Sequence, residues 1–200
     1  MAGAFAAGAM TDGGAGAFLS RLTAKLAAAG VPSMVVGSFA SSFHGVPRSS
    51  QDLDLVIDPQ AESLRRFLSD LPPEDYYVDA EAAFDALRRR GLFNVIDMAT
   101  AWKADLIVRK ARPFSVEEMR RRVEADLLGA RVFVASPEDT LLSKLEWAKQ
   151  GGGSQLQLRD VSGILQLRGD DLDIAYIERW VADLGLEELW RSVRGEDLEG

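Results

Sequence analysis

Cysteine is absent from the 200 residues, and histidine occurs once, at His44. Such a chain has no disulfide framework and no thiolate-ligated zinc, and a metal site built from several imidazoles is excluded as well. A cytoplasmic protein is the simplest reading. No apolar run approaches the length of a membrane span. The Ala/Gly-rich opening lacks the leading positive charge of a signal peptide, so residues 1–15 read as a disordered tail. Positive charge is also scarce: 23 Lys and Arg stand against 31 Asp and Glu, a net charge of -8. That balance argues against an extended nucleic-acid-binding surface and leaves room only for a local basic patch. The length suffices to bury a core without a metal or disulfide staple.

What is present is concentrated in residues 35–58. An apolar run ends in Gly37-Ser38, a short helix-compatible piece reaches His44, and Gly45, Pro47, Arg48, Ser49 and Ser50 form a loop. Asp52 and Asp54 then alternate with Leu53, Leu55 and Ile57. Strand side chains alternate between faces, so the two acids project from one face and the apolar residues from the other. Two carboxylates that close repel each other unless a cation lies between them, and hard oxygen donors suit Mg²⁺ or Mn²⁺. Gly37 permits close approach of backbone to a ligand, and Ser38 can cap a helix whose first amides attract an anion. A phosphate anchor followed by a metal-binding carboxylate pair is the equipment of phosphoryl or nucleotidyl transfer. The competing account is a strand that carries acids to discourage edge-to-edge pairing.

Gly37-Ser38 followed by Asp52-x-Asp54 resembles the first two motifs of the polymerase-beta-like nucleotidyltransferase superfamily. The longer run His44-Gly-x-Pro-Arg48-x-Ser50-x-Asp52-x-Asp54 is most similar to its abortive-infection, AbiEii-type toxin-like branch. Lys103-Ala-Asp105-Leu-Ile on a strand, and Lys144 on a helix before Arg159-Asp160, also resemble that branch. From about residue 16 onward the resemblance touches most of the chain. It implies an α/β (α+β) fold, with a mixed β-sheet nucleotidyltransferase core flanked by helices over residues 16–135 and a helical subdomain packed on it over 136–200. It implies an enzyme that takes an NTP such as ATP with Mg²⁺ or Mn²⁺ and transfers NMP to a hydroxyl of a tRNA, protein or small-molecule acceptor. In the toxin-like branch an antitoxin is the further partner. A catalytically inactive nucleotide-binding or regulatory module of the same fold is the alternative.

By role, the resemblance has Asp105 join Asp52 and Asp54 in holding metal and help deprotonate the attacking hydroxyl, the three carboxylates converging from adjoining strands. Gly37, Ser38, Arg48, Ser50 and Lys144 are the nucleotide and phosphate candidates; Lys103, Asp160 and His44 are secondary ones. The chain departs from the toxins' Asp-x-x-Asp, because three residues after Asp160 stands Gly163.

Hydrophobic spacing predicts helices over 16–29, 39–44, 61–71 and 80–90, and strands over 33–36, 52–58, 76–78, 92–98 and 103–109. A helix over 115–128 carrying Arg120, Arg121 and Arg122 is expected next, its basic patch either a solvated face or a contact to an RNA acceptor. A strand over 131–135 follows. Ser136-Pro137-Glu138-Asp139 has the signature of a helix start, Gly151-Gly152-Gly153-Ser154 reads as a flexible loop, and helices near 156–167, 171–184 and 186–193 close the chain. Asp171-x-Asp173 opens a helix, where acids serve as caps. If the turn joining 92–98 to 103–109 is symmetric about residues 100 and 101, Asp97 lies opposite Ala104 and faces away from Asp105. A one-residue slip would reverse this and make Asp97 the third carboxylate. Lys144 shares a helical face with Leu141, Leu145 and Ala148, so its ammonium must snorkel to water, meet a phosphate or meet Asp160. Arg48 has a phosphate or Asp52 as alternative partners. His44 bonds a backbone carbonyl or shuttles a proton.

Overall fold

The computed structural model describes residues 14–151 and 154–195; the expected tail, up to residue 13, and the middle of the Gly-rich loop lie outside the described residues. In chain order the first elements are α1 (Ala15–Ala28), β1 (Ser33–Val35), α2 (Gly37–His44), β2 (Asp52–Ile57), α3 (Ala61–Ser69), β3 (Tyr76–Val78), α4 (Ala80–Arg89), β4 (Leu92–Asp97) and β5 (Lys103–Val108). There follow α5 (Pro113–Arg121), β6 (Val123–Leu127), β7 (Ala130–Val134), α6 (Pro137–Gln150), α7 (Gln155–Arg168), a 3₁₀ turn (Gly169–Asp171), α8 (Ile174–Leu184) and α9 (Glu187–Val193). The chain divides into two compact units. The first runs to Val35 and resumes over Ser50–Val134; the second takes Val36–Ser49 and everything from Ala135 onward.

The first unit carries one mixed sheet of order β3-β4-β5-β2-β1-β7-β6. β2 pairs in parallel with β5 and antiparallel with β1, while β4 pairs antiparallel with β5. Alternation is clean on the two central strands: Leu53, Leu55 and Ile57 of β2, and Ala104, Leu106 and Val108 of β5, are fully buried. Phe18, Leu19, Leu22 and Leu26 of α1 and Leu64 and Phe67 of α3 are buried too, at the i, i+3, i+4 spacing of helices with one apolar face. The burial of one sheet face is what holds β2 and β5 in register, because a slip by one residue would carry every apolar side chain to the wrong side.

Two expectations for this unit change. The helix predicted over 115–128 stops at Arg121: Arg122 is extended, with φ -52° and ψ 142°, and Val123–Leu127 forms β6, an antiparallel partner of β7. Leu128 and Gly129, with φ of 55° and 76°, make the two-residue turn between them, a turn whose twist suits a hairpin. Pairing with β7 thereby overrides the helix-compatible composition of the segment. The β4–β5 register also differs from a turn centred on residues 100 and 101, because Val95, not Asp97, lies opposite Ala104. The offset is two residues, so the faces are unchanged and Asp97 still points away from Asp105.

The second unit is helical. Ser136 caps α6 by accepting from the Asp139 amide at 3.1 Å, and Pro137 occupies its first turn. Asp173 caps α8 in the same way, accepting from the Tyr176 amide at 2.9 Å. α2 packs on α6 and α7, which is why residues 36–49 group with the C-terminal helices. Gly45 and Gly163 permit the approach of α2 and α7: a Cβ on Gly163 would come within 3.1 Å of the Val46 amide nitrogen, and one on Gly45 within 2.9 Å of the Ile164 amide nitrogen.

Candidate functional site

On the half-exposed face of the first unit's sheet, the parallel register sets Asp52 beside Lys103 and Asp54 beside Asp105, and the antiparallel register of β4 sets Asn94 beside Asp105. Since alternate residues share a face, all five side chains rise from one side. Lys103 Nζ lies 3.4 Å from Asp52 Oδ1 and 3.2 Å from Asp105 Oδ1, spanning the two carboxylates. Asn94 Nδ2 donates to the same Asp105 oxygen at 2.6 Å. Burial by itself would lower the Lys103 pKa, but the hydrogen bond and charge of Asp105, then of Asp52, outweigh it and raise it.

Asp52 and Asp105 each commit Oδ1 to these donors. With Asp54, they form a set of hard oxygen donors of the kind that suits Mg²⁺ or Mn²⁺. The donor chemistry therefore fits a divalent cation. The three side chains do not close on a common point, however: among the described residues no group of three or more acidic or imidazole side chains stands arranged to hold a metal ion. Lys103 is the cation between two of them. Asn94 gives no signal in the sequence; only the β4–β5 register brings it to Asp105. Ser50, expected to face phosphate, donates from Oγ to the Asp52 carbonyl at 3.2 Å.

Asp97 lies on the opposite, core-facing side of the sheet and is 2% exposed. Its Oδ2 accepts from Arg21 at 3.0 Å and from the Thr100 hydroxyl. This ion pair of a buried carboxylate with a half-exposed guanidinium ties α1 to the end of β4, and the sheet itself separates it from Asp105.

The second unit holds the remaining candidates. Gly37, with φ 64°, opens α2 in a conformation that favours glycine, and Ser38 is buried in the first turn. Asp160 is the hub. It accepts Arg48 Nε on Oδ1 at 3.0 Å and Arg48 Nη2 on Oδ2 at 3.1 Å, a two-pronged pairing. Lys144 Nζ sits 2.7 Å from Oδ2, and Ser41 Oγ is 3.0 Å from that oxygen. The Asp160 carboxyl would be raised by burial alone, yet hydrogen bonds from Arg48 and Lys144, and their charges, hold it below its usual value. Lys144 therefore meets Asp160, with its side chain only 6% exposed. The Arg48 amide is fixed as well, donating to Ser42 Oγ at 3.2 Å.

His44 is 4% exposed, and Nε2 donates to the Ala135 carbonyl at 2.7 Å. A carbonyl can only accept, so Nδ1 carries the lone pair; it is buried and unpartnered. Burial lowers the imidazole pKa from 6.5 to about 4, so the ring is neutral at neutral pH.

No protein-family model matches the sequence, and no curated protein matches it. Among solved structures, an antigenic nucleotidyltransferase-like protein from Paracoccidioides brasiliensis is similar with a TM-score of 0.52 at 19% identity, over 75% of this chain and 74% of that one. The antibiotic-resistance factor ANT(2'')-Ia gives a TM-score of 0.44 at 15% identity, over 90% of this chain and 94% of that one. JHP933 from Helicobacter pylori gives 0.39 at 14% identity, over 88% and 92%. The first likeness shows that the fold is nucleotidyltransferase-like, in agreement with the mixed sheet and flanking helices.

Proposed function

We propose that the chain is a nucleotidyltransferase, of the AbiEii-type toxin-like branch, that transfers NMP from an NTP to a hydroxyl of an acceptor molecule. The observation that carries this reading is the register of β2 and β5, which stacks Asp54 against Asp105 with Asp52 two residues away on the same accessible face. Asp52, Asp54 and Asp105 would hold Mg²⁺ or Mn²⁺, which supplies charge neutralisation of the triphosphate and acidification of the attacking hydroxyl. In the transfer, the acceptor oxygen bonds to the α-phosphorus, the bond to the bridging oxygen breaks, and pyrophosphate leaves with that oxygen. Asp105, which is fixed by Asn94 and Lys103, takes the hydroxyl proton. Gly37 and Ser38 are assigned to the triphosphate from the order of motifs along the chain and the open backbone conformation of Gly37. Arg48 and Lys144 are engaged by Asp160 and are assigned to holding residues 37–48 in shape.

The test uses α-labelled NTP with Mg²⁺ and three acceptor pools: total tRNA, cell protein and small-molecule extract. Asp52→Ala with Asp54→Ala should lower label transfer at least about a thousand-fold while circular dichroism stays unchanged. Equal transfer by the double variant would overturn the proposal. A second reading, a nucleotide-binding module without chemistry, is favoured by the ammonium already seated between Asp52 and Asp105. Calorimetric NTP binding with no label in any pool would establish it. Growth arrest on expression, abolished by the double variant, would support the toxin role, and normal growth would count against it.

A further inference from the structure

We infer that Lys103 is a built-in counter-cation that holds Asp52 and Asp105 together in the metal-free protein and competes with a divalent ion for them. The inference rests on the reading above that these carboxylates bind metal. Lys103 is the register partner of Asp52 and stands two residues before Asp105 on one strand, so strand geometry delivers its ammonium to both acids without any loop or hinge. The contacts at 3.4 and 3.2 Å engage one oxygen of each acid. Asn94, donating at 2.6 Å to the oxygen of Asp105 that Lys103 also touches, fixes the orientation of that carboxylate.

Charge arithmetic gives the direction. Asp52, Asp105 and the ammonium between them leave a net charge of about minus one, so the pair still attracts a cation although one oxygen of each acid is engaged. A metal taken up by both acids lies close to the ammonium and is repelled by it, so it binds at the cost of that repulsion or of displacing the ammonium. The side chain of Lys103 is 35% exposed, so the ammonium can swing into solvent. Lys103 is thus a positioning residue that sets how tightly the site holds metal before substrate arrives.

The test titrates Mn²⁺, without NTP, into the full chain and reads free ion by electron paramagnetic resonance. Lys103→Met should bind Mn²⁺ roughly ten-fold more tightly than the parent, the scale of losing two partly exposed charge contacts. Lys103→Arg, which keeps the cation, should bind as the parent does. Thermal melts add a readout independent of affinity: Lys103→Met should melt lower without metal and recover on adding Mn²⁺, whereas the parent should shift less. Equal or weaker Mn²⁺ binding by Lys103→Met, with parent binding intact and lost in Asp54→Asn, would overturn the counter-cation and leave the metal site standing. Absence of Mn²⁺ binding in parent and both lysine variants, all folded by circular dichroism, would overturn both.

Discussion

Each unit of the molecule contains a cluster of Asp and Lys side chains, and the two have inverted charge ratios. In the first, two carboxylates, Asp52 and Asp105, share one lysine on a half-exposed sheet face, and Asp52 keeps 49% of its side chain in solvent. In the second, one carboxylate, Asp160, receives both a lysine and an arginine, with its own side chain 5% exposed. Burial explains the difference. A carboxylate removed from water costs several kcal/mol unless cations and hydrogen-bond donors surround it, and Asp160 has Arg48, Lys144 and Ser41 around it. Acids that stay partly hydrated tolerate being under-neutralised, and an under-neutralised group is the one with binding capacity left. Similar residue types thus make a structural lock in one place and, on the function proposed above, a site for a cation in the other.

The largest way to break this contrast is Asp160→Ala, which strands two cations in the helical unit. A loss of about 3–5 kcal/mol in urea unfolding is expected. Asp160→Asn should recover only part of it. The second effect is pH dependence from His44. Its pKa falls from 6.5 to about 4 in the folded protein, chiefly through burial, so below pH 6.5 the unfolded chain takes up a proton that the native ring refuses. The His44 contribution is whole above pH 6.5 and fades as pH falls towards 4, by about 3 kcal/mol in all. His44→Leu should flatten that window in unfolding measured at stepped pH, and an unchanged slope would show that another group is responsible.

Next in size is Asp97→Ala, which leaves the half-exposed Arg21 and the Thr100 hydroxyl without their shared acceptor. It should cost about 1–3 kcal/mol while NMP transfer per folded molecule persists. Asp105→Asn should do the reverse, losing transfer and keeping stability. If the two variants exchanged behaviours, the third carboxylate would be misassigned. The smallest effect belongs to Asp52→Ala alone, within about 0.5 kcal/mol of the parent in denaturant, since it relieves repulsion in an acid-rich cluster as it removes one lysine contact.

Much of this was legible along the chain because its determinants are local. The alternation of Asp52 to Ile57 specifies a strand with acids on one face, and Ser136-Pro137 announces α6. Both elements form where spacing puts them. β6 was not legible, because Val123–Leu127 has no strong local preference and becomes a strand only through pairing with β7. Asn94 was not legible either: nothing marks it until β4 lies beside β5. Gly163, standing where the toxin-like motif has an acid, gains its reason only from the Val46 backbone against it.

Strand periodicity and the Gly37-Ser38 to Asp54 spacing are properties of consecutive residues, so the amino-acid order alone determined that this chain carries acids on a strand after a helix-opening turn. Which acid joins them, which lysine bridges and which is locked away are properties of register and helix contact. Those depend on residues 50 to 120 positions apart in the chain, as Asp54 is from Asp105 and Arg48 from Asp160, and only the closing of the core chose among the pairings.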